Sequence, residues 1–332
     1  MKRVLITGGA GYIGSKLIQE FLSYDYKVRV YDSMIFGGNH LSYFLKDQNF
    51  ELIKGDIREG IPINDCDAVV HLASMVFTGG DILDPFVNEV NYEATKKIVD
   101  SCKKRGVRLV YTSTCSNYGK TKGLATEDSE LQPINIYAKS KIKSEQYILS
   151  KLDDNFKPLV LRLSTVFGLS PRMRFDLLIN QLTMEAHKRN EITVFKPNAW
   201  RPSLHIDDAV EIIERVTWQP FLNGVYNIGS NKLNYRKKDL CNILSKELKD
   251  LKIDYKNEDE DERDYKVSFE KAESWNIIPK RTIKQGVKEI LEALKNNVYL
   301  YPYDILHDNL KTYTVYYHDK VRERGLIKNA LE

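Results

Sequence analysis

The segment KRVLITGGAGYIGSKLIQEFL sets Gly8, Gly11 and Gly14 three residues apart, between an apolar run and an amphipathic one. Val4, Leu5 and Ile6 read as a buried parallel strand, and Ile13, Leu17, Ile18 and Phe21 recur at helical spacing. A strand, a glycine turn and a helix in that order form a dinucleotide-binding unit. The glycines allow a tight turn, close approach of backbone to a pyrophosphate and helix-on-strand contact, while the helix N-terminus offers amides to phosphate. The next segment, KVRVYD, reads as a second strand ending at Asp32. An acidic residue about 20 residues beyond the glycines is placed to accept hydrogen bonds from an adenosine ribose, and it repels a 2′-phosphate. NAD rather than NADP is therefore the expected coenzyme. Arg29, on the same strand, is read as a solvated face residue.

Strands and helices then alternate as a parallel sheet demands. FELIKGDI is a third strand ending near Asp56, which either meets the adenine amino group or simply caps a helix. CDAVVHLAS is a fourth, and its small Ala73 and Ser74 leave room for a coenzyme against the backbone. A long helix from about Pro85 to Arg105 follows, then the strand RLVYTSTCSNYG, the periodic helix IYAKSKIKSEQYILSKL and the strand PLVLRLSTVFG. Beyond these the pattern loosens into a helix near Asp176 to Arg189, the segments WRPSLHIDDAVEIIERV and GVYNIGS, and helices rich in Lys and Glu.

The fold expected is α/β, with a Rossmann-type doubly wound parallel sheet mainly over residues 1–170. A smaller C-terminal α/β substrate domain is expected mainly over 171–296, with some crossing of the chain between the two. Residues 297–332 form an aromatic-rich extension with Tyr299, Tyr301, Tyr303, Tyr313, Tyr316 and Tyr317. That is too aromatic for disorder, so it is expected to pack on the body or on a second subunit. The run NEDEDERD from Asn257 reads as a solvated loop.

Composition narrows the partners. The 332 residues, 42% hydrophobic, suffice for one large domain and a smaller companion. Lys and Arg outnumber Asp and Glu by 50 to 46, and the net +4 gives no basis for a nucleic-acid partner, although local positive charge could hold an anionic ligand. Cys66, Cys102, Cys115 and Cys241 show no CxxC spacing and no His-linked metal pattern, so reduced thiols in a cytosol and no bound metal are expected. The chain has no run of 18 apolar residues and passes directly into a strand, so export and membrane insertion are not expected and the cytoplasm is.

The chemistry concentrates in the helix that begins at Tyr137. Tyr137 and Lys141 are four apart and emerge on one helical face. A free tyrosine, with a pKa of about 10, is a poor base near neutrality. A nearby ammonium and an oxidised nicotinamide would both stabilise its phenolate. Thr114 lies at the end of the preceding strand, where open parallel sheets bind ligands, and its hydroxyl could share a substrate proton.

In combination, TGGAGYIG, YAKSK at Tyr137–Lys141, Thr114 ahead of the YG pair, GDI, HLAS, VNYEAT with Asn91, and LRLSTVFG resemble the extended short-chain dehydrogenase/reductases of the nucleotide-sugar epimerase/dehydratase group. The resemblance covers roughly residues 1 to 295. It implies NAD held by Gly8, Gly11, Tyr12, Ile13, Gly14, Asp32, Asp56, Ile57, Leu72, Ala73, Asn91, Tyr137 and Lys141. It also implies a nucleoside diphosphate sugar gripped by the second domain, with Ser116, Arg172, Asn180 and Arg201 as substrate contacts. Tyr137 would take the sugar hydroxyl proton while hydride leaves the same carbon. Relatives dimerise through the two long helices, here about 86–105 and 137–152, so a homodimer is expected.

The chain departs from this pattern at informative places. Relatives that eliminate water across C5 and C6 carry Asp-Glu after the catalytic Thr, where this chain has Cys115 and Ser116. Epimerisation at C4 through a 4-keto intermediate is the simplest fit. Cys115 either packs, or handles a proton beside the ketone as in C3/C5 epimerisation or an unusual elimination. Net 4-dehydrogenation is a third outcome, and a catalytically silent NAD-binding sensor or scaffold is the non-enzyme alternative. Arg172 and Arg174 are either diphosphate contacts or surface ion-pair partners. Pro202 replaces an acidic residue usual after the arginine at 201, and His205 and Asp208 are read as structural.

Overall fold

The computed structural model describes residues 1–76, 83–258 and 262–323. The first half of the chain runs β1 (Arg3–Thr7), α1 (Tyr12–Ser23), β2 (Lys27–Asp32), β3 (Phe50–Lys54), β4 (Ala68–His71), α2 (Asp84–Asn88), α3 (Ala94–Arg105), β5 (Arg108–Thr114), β6 (Lys120–Ala125), α4 (Ile136–Ser150) and β7 (Leu159–Leu163). The second half begins with β8 (Thr165–Phe167), α5 (Leu178–Arg189), β9 (Glu191–Phe195), β10 (Trp200–His205), α6 (Ile206–Thr217) and β11 (Gly224–Ile228). It continues with β12 (Asn234–Arg236), α7 (Lys237–Glu247), β13 (Lys252–Lys256), β14 (Asp264–Val267), α8 (Glu270–Glu273), α9 (Ile283–Lys295) and α10 (Asn309–Glu323).

Seven strands form one parallel sheet in the order β11-β7-β5-β4-β1-β2-β3. The central strands β1, β4 and β5 are buried almost throughout because both faces are covered, whereas the edge strand β3 is only partly buried. Val4, Ile6, Val70, Val110 and Leu161 point into one core with Leu17, Ile18 and Phe21 of α1 and Ile213 of α6. Leu5, Val69, Leu109 and Val160, alternating with them, point into a second core with Ile98 and Val99 of α3 and Ile148 of α4. From β1 the chain proceeds outward through β2 and β3, then returns to the other side at β4. The crevice therefore opens where the β1 and β4 ends diverge, which is where ligands bind in such sheets.

Three smaller sheets, β8-β10-β12, β9-β13 and β6-β14, build the rest. Two links cross between the halves of the chain. GVYNIGS, read as part of the looser second half, is the edge strand β11 paired with β7. LRLSTVFG does not continue as one strand: it breaks at Ser164, and β8 leaves the main sheet to pair with β10. The expected helix from about Pro85 to Arg105 is interrupted by a wider turn over Glu89–Glu93. Arg29 is not solvated, since it is buried and bonded to Glu51 at 2.7 Å and to the Pro62 and Asn64 carbonyls at 2.9 and 2.8 Å.

The extension packs on the body. Tyr299 donates to the Ser170 carbonyl at 3.1 Å, and Tyr313 and Tyr317 are buried, whereas Tyr301, Tyr303 and Tyr316 are exposed. Residues 324–332, and 259–261 of the acidic run, lie outside the described residues. The four cysteines are buried and unpaired. Among the described residues, no helix is long and apolar enough to cross a membrane.

Candidate active site

A cavity of about 870 Å³ runs along the C-terminal ends of the sheet and continues between α5, β9 and the extension. At one end stands the glycine turn. Gly8 adopts φ +75°, and a Cβ there would lie 2.6 Å from the Ala73 nitrogen; a Cβ on Gly14 would lie 2.3 Å from the Gly8 carbonyl oxygen. Only glycine closes this turn. No side chain caps α1 at Gly11, so its first-turn amides remain available for an anion. Asp32 is held by the Ala10 and Met34 amides at 3.0 and 2.7 Å, and burial raises its pKa. Asp56 caps the short turn Ile57–Glu59 through the Arg58 amide at 2.9 Å, and its carboxylate also accepts from the Arg58 guanidinium at 2.6 Å where it lines the cavity. Among the described residues, the Ser74 hydroxyl, also in the lining, and Nε and Nη2 of Arg172 have no hydrogen-bond partner. Uncapped amides, a cradle closed to any Cβ and unpaired polar groups together fit a dinucleotide.

Tyr137 and Lys141 stand one turn apart at the start of α4, whose first turn is capped by Asn135 accepting from the Ala138 amide at 2.9 Å. Burial of the phenol pushes its pKa up to about 12, against the pull of Arg174 and the Thr114 hydroxyl. Burial also brings Lys141 down to about 7, with Glu145 opposing, and its ammonium lies 4.4 Å over the Tyr111 ring. The protein alone therefore holds a protonated phenol beside a lysine near its titration point. A positive ligand against the phenol would be needed to make it a base near neutrality.

The support for this pair lies one turn further along α4. Glu145 is buried, paired with Arg162 of β7 at 2.7 Å, and accepts from Ser113 and from Asn117 at 2.8 Å. It thereby fixes the end of β5 that carries Thr114. These residue types are individually common, and only the fold brings them together.

Of the residues singled out from sequence, Gly8, Gly11, Tyr12, Ile13, Gly14, Asp32, Asp56, Ile57, Leu72, Ala73, Thr114, Ser116, Tyr137, Lys141, Arg172 and Arg201 line the cavity. Three do not. Cys115 is fully buried among Tyr118, Tyr265 and Phe269 and donates to the Arg162 carbonyl at 3.2 Å; burial pushes its thiol up to about 12. Asn91 clamps both polar groups of the Met75 backbone at 2.7 and 3.0 Å and donates to Ser140. Asn180 holds the Gly168 amide at 3.0 Å, the Arg174 carbonyl and the Tyr12 hydroxyl. Each of the two asparagines ties a loop down rather than facing a ligand.

The two arginines of SPRMRF separate. Arg172 lies 3.8 Å over the Phe36 ring, with the Asp32 carboxylate among its charge neighbours, at the coenzyme end. Arg174 pairs with Asp176 at 2.6 Å and acts on Tyr137. Arg201 donates to the Trp200 and Arg263 carbonyls. His205 is buried, accepts from the Asp207 amide at 3.2 Å and caps α6. Sequence reasoning did not find Phe36, Arg263, Asn309, Tyr313 or Tyr317 in the lining. The tyrosine-rich tail was the one signal for the last two.

A parallel sheet with a coenzyme crevice at its switch point and a Tyr-Lys-Thr group beside it defines a dinucleotide-dependent enzyme of the short-chain dehydrogenase/reductase type. Residues 4–229 match the NAD dependent epimerase/dehydratase family, and the chain belongs to that family, with NAD as its coenzyme. It is 28% identical over 324 residues to the dTDP-D-glucose 4,6-dehydratase of Mus musculus, covering 89% of each chain. It is 28% identical over 250 residues to the uncharacterized UDP-glucose epimerase YtcB of Bacillus subtilis, covering 68% of this chain and 76% of that one. The fold superposes on UDP-glucuronic acid 4-epimerase from Bacillus cereus in complex with NAD, with a TM-score of 0.75 at 24% identity, over 89% of this chain and 99% of that one.

Proposed function

We propose that the chain 4-epimerises a nucleoside diphosphate sugar, held by the part of the chain from 171 to 296 against the coenzyme. In this reading Tyr137 takes the proton of the sugar C4 hydroxyl, Thr114 shares that hydrogen bond, and Lys141 supports the phenolate charge. NAD, when bound, would supply the hydride acceptor and donor for C4. Tyr137 would hold the proton while the 4-keto sugar rotates in the site, and give it back once the opposite face of C4 is reduced.

The observation that carries this choice is the placement of Cys115. An elimination or a C3/C5 epimerisation needs a further acid or base beside the ketone. The position after Thr114, where dehydrating relatives carry an acid, here holds a thiol packed among aromatic rings and bonded to a backbone carbonyl. Epimerisation at C4 needs no such group. Residues Arg174, Arg201 and Arg263 line the sugar-nucleotide end, where guanidinium suits diphosphate oxygens. A homodimer belongs to the same reading.

The test is incubation of the NAD-loaded protein with UDP-, GDP-, dTDP- and CDP-sugars in heavy water, followed by mass spectrometry and proton NMR. Inversion at C4 without mass gain is expected. Deuterium at C3 or C5, loss of water, or a product lighter by two hydrogens would overturn the assignment.

A further inference from the structure

The extension from residue 297 onward is more than packing. The overlap with the Bacillus cereus structure uses 89% of this chain and 99% of the other, leaving a share about the size of this segment. Within it, Leu310, Tyr313 and Tyr317 of α10 follow one another at helical spacing, and all three line the same cavity as the glycine turn.

Their neighbours place them along the coenzyme. The Tyr313 ring meets Phe36, the ring that also carries Arg172, at 5.3 Å, and its hydroxyl donates to the Ser74 carbonyl at 3.2 Å. The Tyr317 ring lies 4.5 Å from Phe86, with Asp56 and Arg58 among its charge neighbours. Asn309 begins the helix by donating from its side chain to the Val76 carbonyl at 2.8 Å and from its backbone amide to the Asp176 carboxylate at 3.2 Å. α10 therefore runs along the cavity from Asp176, the ion-pair partner of Arg174, toward Asp56. The sheet ends line one side of this cavity, and the helix lines it as well.

We propose that Tyr313 and Tyr317 are coenzyme-contacting residues, closing the ribose-diphosphate and adenine portions of the NAD site from the side opposite the sheet. Tyr313 covers the portion between Asp32 and Ser74, with Arg172 beside it as a cation toward the diphosphate. Tyr317 offers an aromatic face at the adenine end, where stacking is insensitive to the rest of the ligand. The proposal rests on NAD being the coenzyme and not on which sugar carbon reacts.

The test is the release of NAD from full-length holoenzyme without sugar, followed by chase with excess etheno-NAD and by the NAD content per subunit after desalting. Tyr313→Ala with Tyr317→Ala should speed release by about ten-fold, equivalent to about 1.4 kcal/mol. Val315→Ala, on the exposed face of the same helix, should leave it unchanged. Tyr313→Phe, which keeps the ring and removes the hydroxyl that donates to the Ser74 carbonyl, keeps the test valid should the double variant misfold, and it should release NAD about three-fold faster. Release within two-fold of the unaltered protein in a folded double variant, or in Tyr313→Phe where the double variant misfolds, would overturn the proposal. A positive result with no sugar turned over would leave it standing and remove only the proposed reaction.

Discussion

Lys141→Met should make the coenzyme-free protein more stable while abolishing turnover. Folding brings the Lys141 pKa from its ordinary 10.5 to about 7 because the ammonium is desolvated. At about 1.4 kcal/mol per pH unit, that difference corresponds to about 5 kcal/mol against the charged folded state. The sign follows from proton counting: between about pH 7 and 10.5 the unfolded chain binds the proton and the folded chain does not, so stability rises with pH through that window. Below about pH 7 the whole penalty is present. Methionine keeps the length of the stem and carries no charge to desolvate. Its loss of contact between ammonium and the Tyr111 ring, 4.4 Å apart, offsets about 1 kcal/mol. Urea unfolding of both proteins at pH 6, 7, 8.5 and 10 should show the variant ahead by about 4 kcal/mol at the acid end, with the gap closing toward pH 10. A gap independent of pH, or a variant less stable at pH 6, would refute the reasoning.

Three further outcomes follow from the site. Tyr137→Phe should lower kcat by about 10²–10⁴ with NAD content unchanged, measured by turnover and by coenzyme released on denaturation. Cys115→Ala should leave kcat within two-fold, because the thiol faces Tyr118, Tyr265 and Phe269, while lowering stability by about 1 kcal/mol in thermal unfolding. Glu145→Gln leaves the buried Arg162 without its 2.7 Å carboxylate partner and should cost about 3–5 kcal/mol in the same assay.

That Tyr137 and Lys141, the proposed catalytic pair, lie together was legible because it depends on local geometry: residues four apart on a helix share a face wherever that helix lies. The coenzyme turn was legible for a similar reason, since glycine alone satisfies the close approaches at Gly8 and Gly14. Side-chain direction just beyond a strand end was not. Thr114, Cys115 and Ser116 are consecutive, yet the turn from Cys115 to Tyr118 sends the two hydroxyl residues into the cavity and the thiol into a core. Arg172 and Arg174 diverge in the same way, one toward Asp32 and the other toward Tyr137.

Sequence by itself determined the parallel sheet, the coenzyme crevice and the Tyr-Lys pair, because periodicity and short spacings act over a few residues. Only tertiary structure decided that residues 224–228 return to the main sheet and that Tyr313 and Tyr317 line the same cavity as the glycine turn. Those contacts join segments far apart in the chain, such as Tyr313 with Ser74 and Asn309 with Val76. Their formation depends on the shape left by everything folded between them, and no local pattern records that shape.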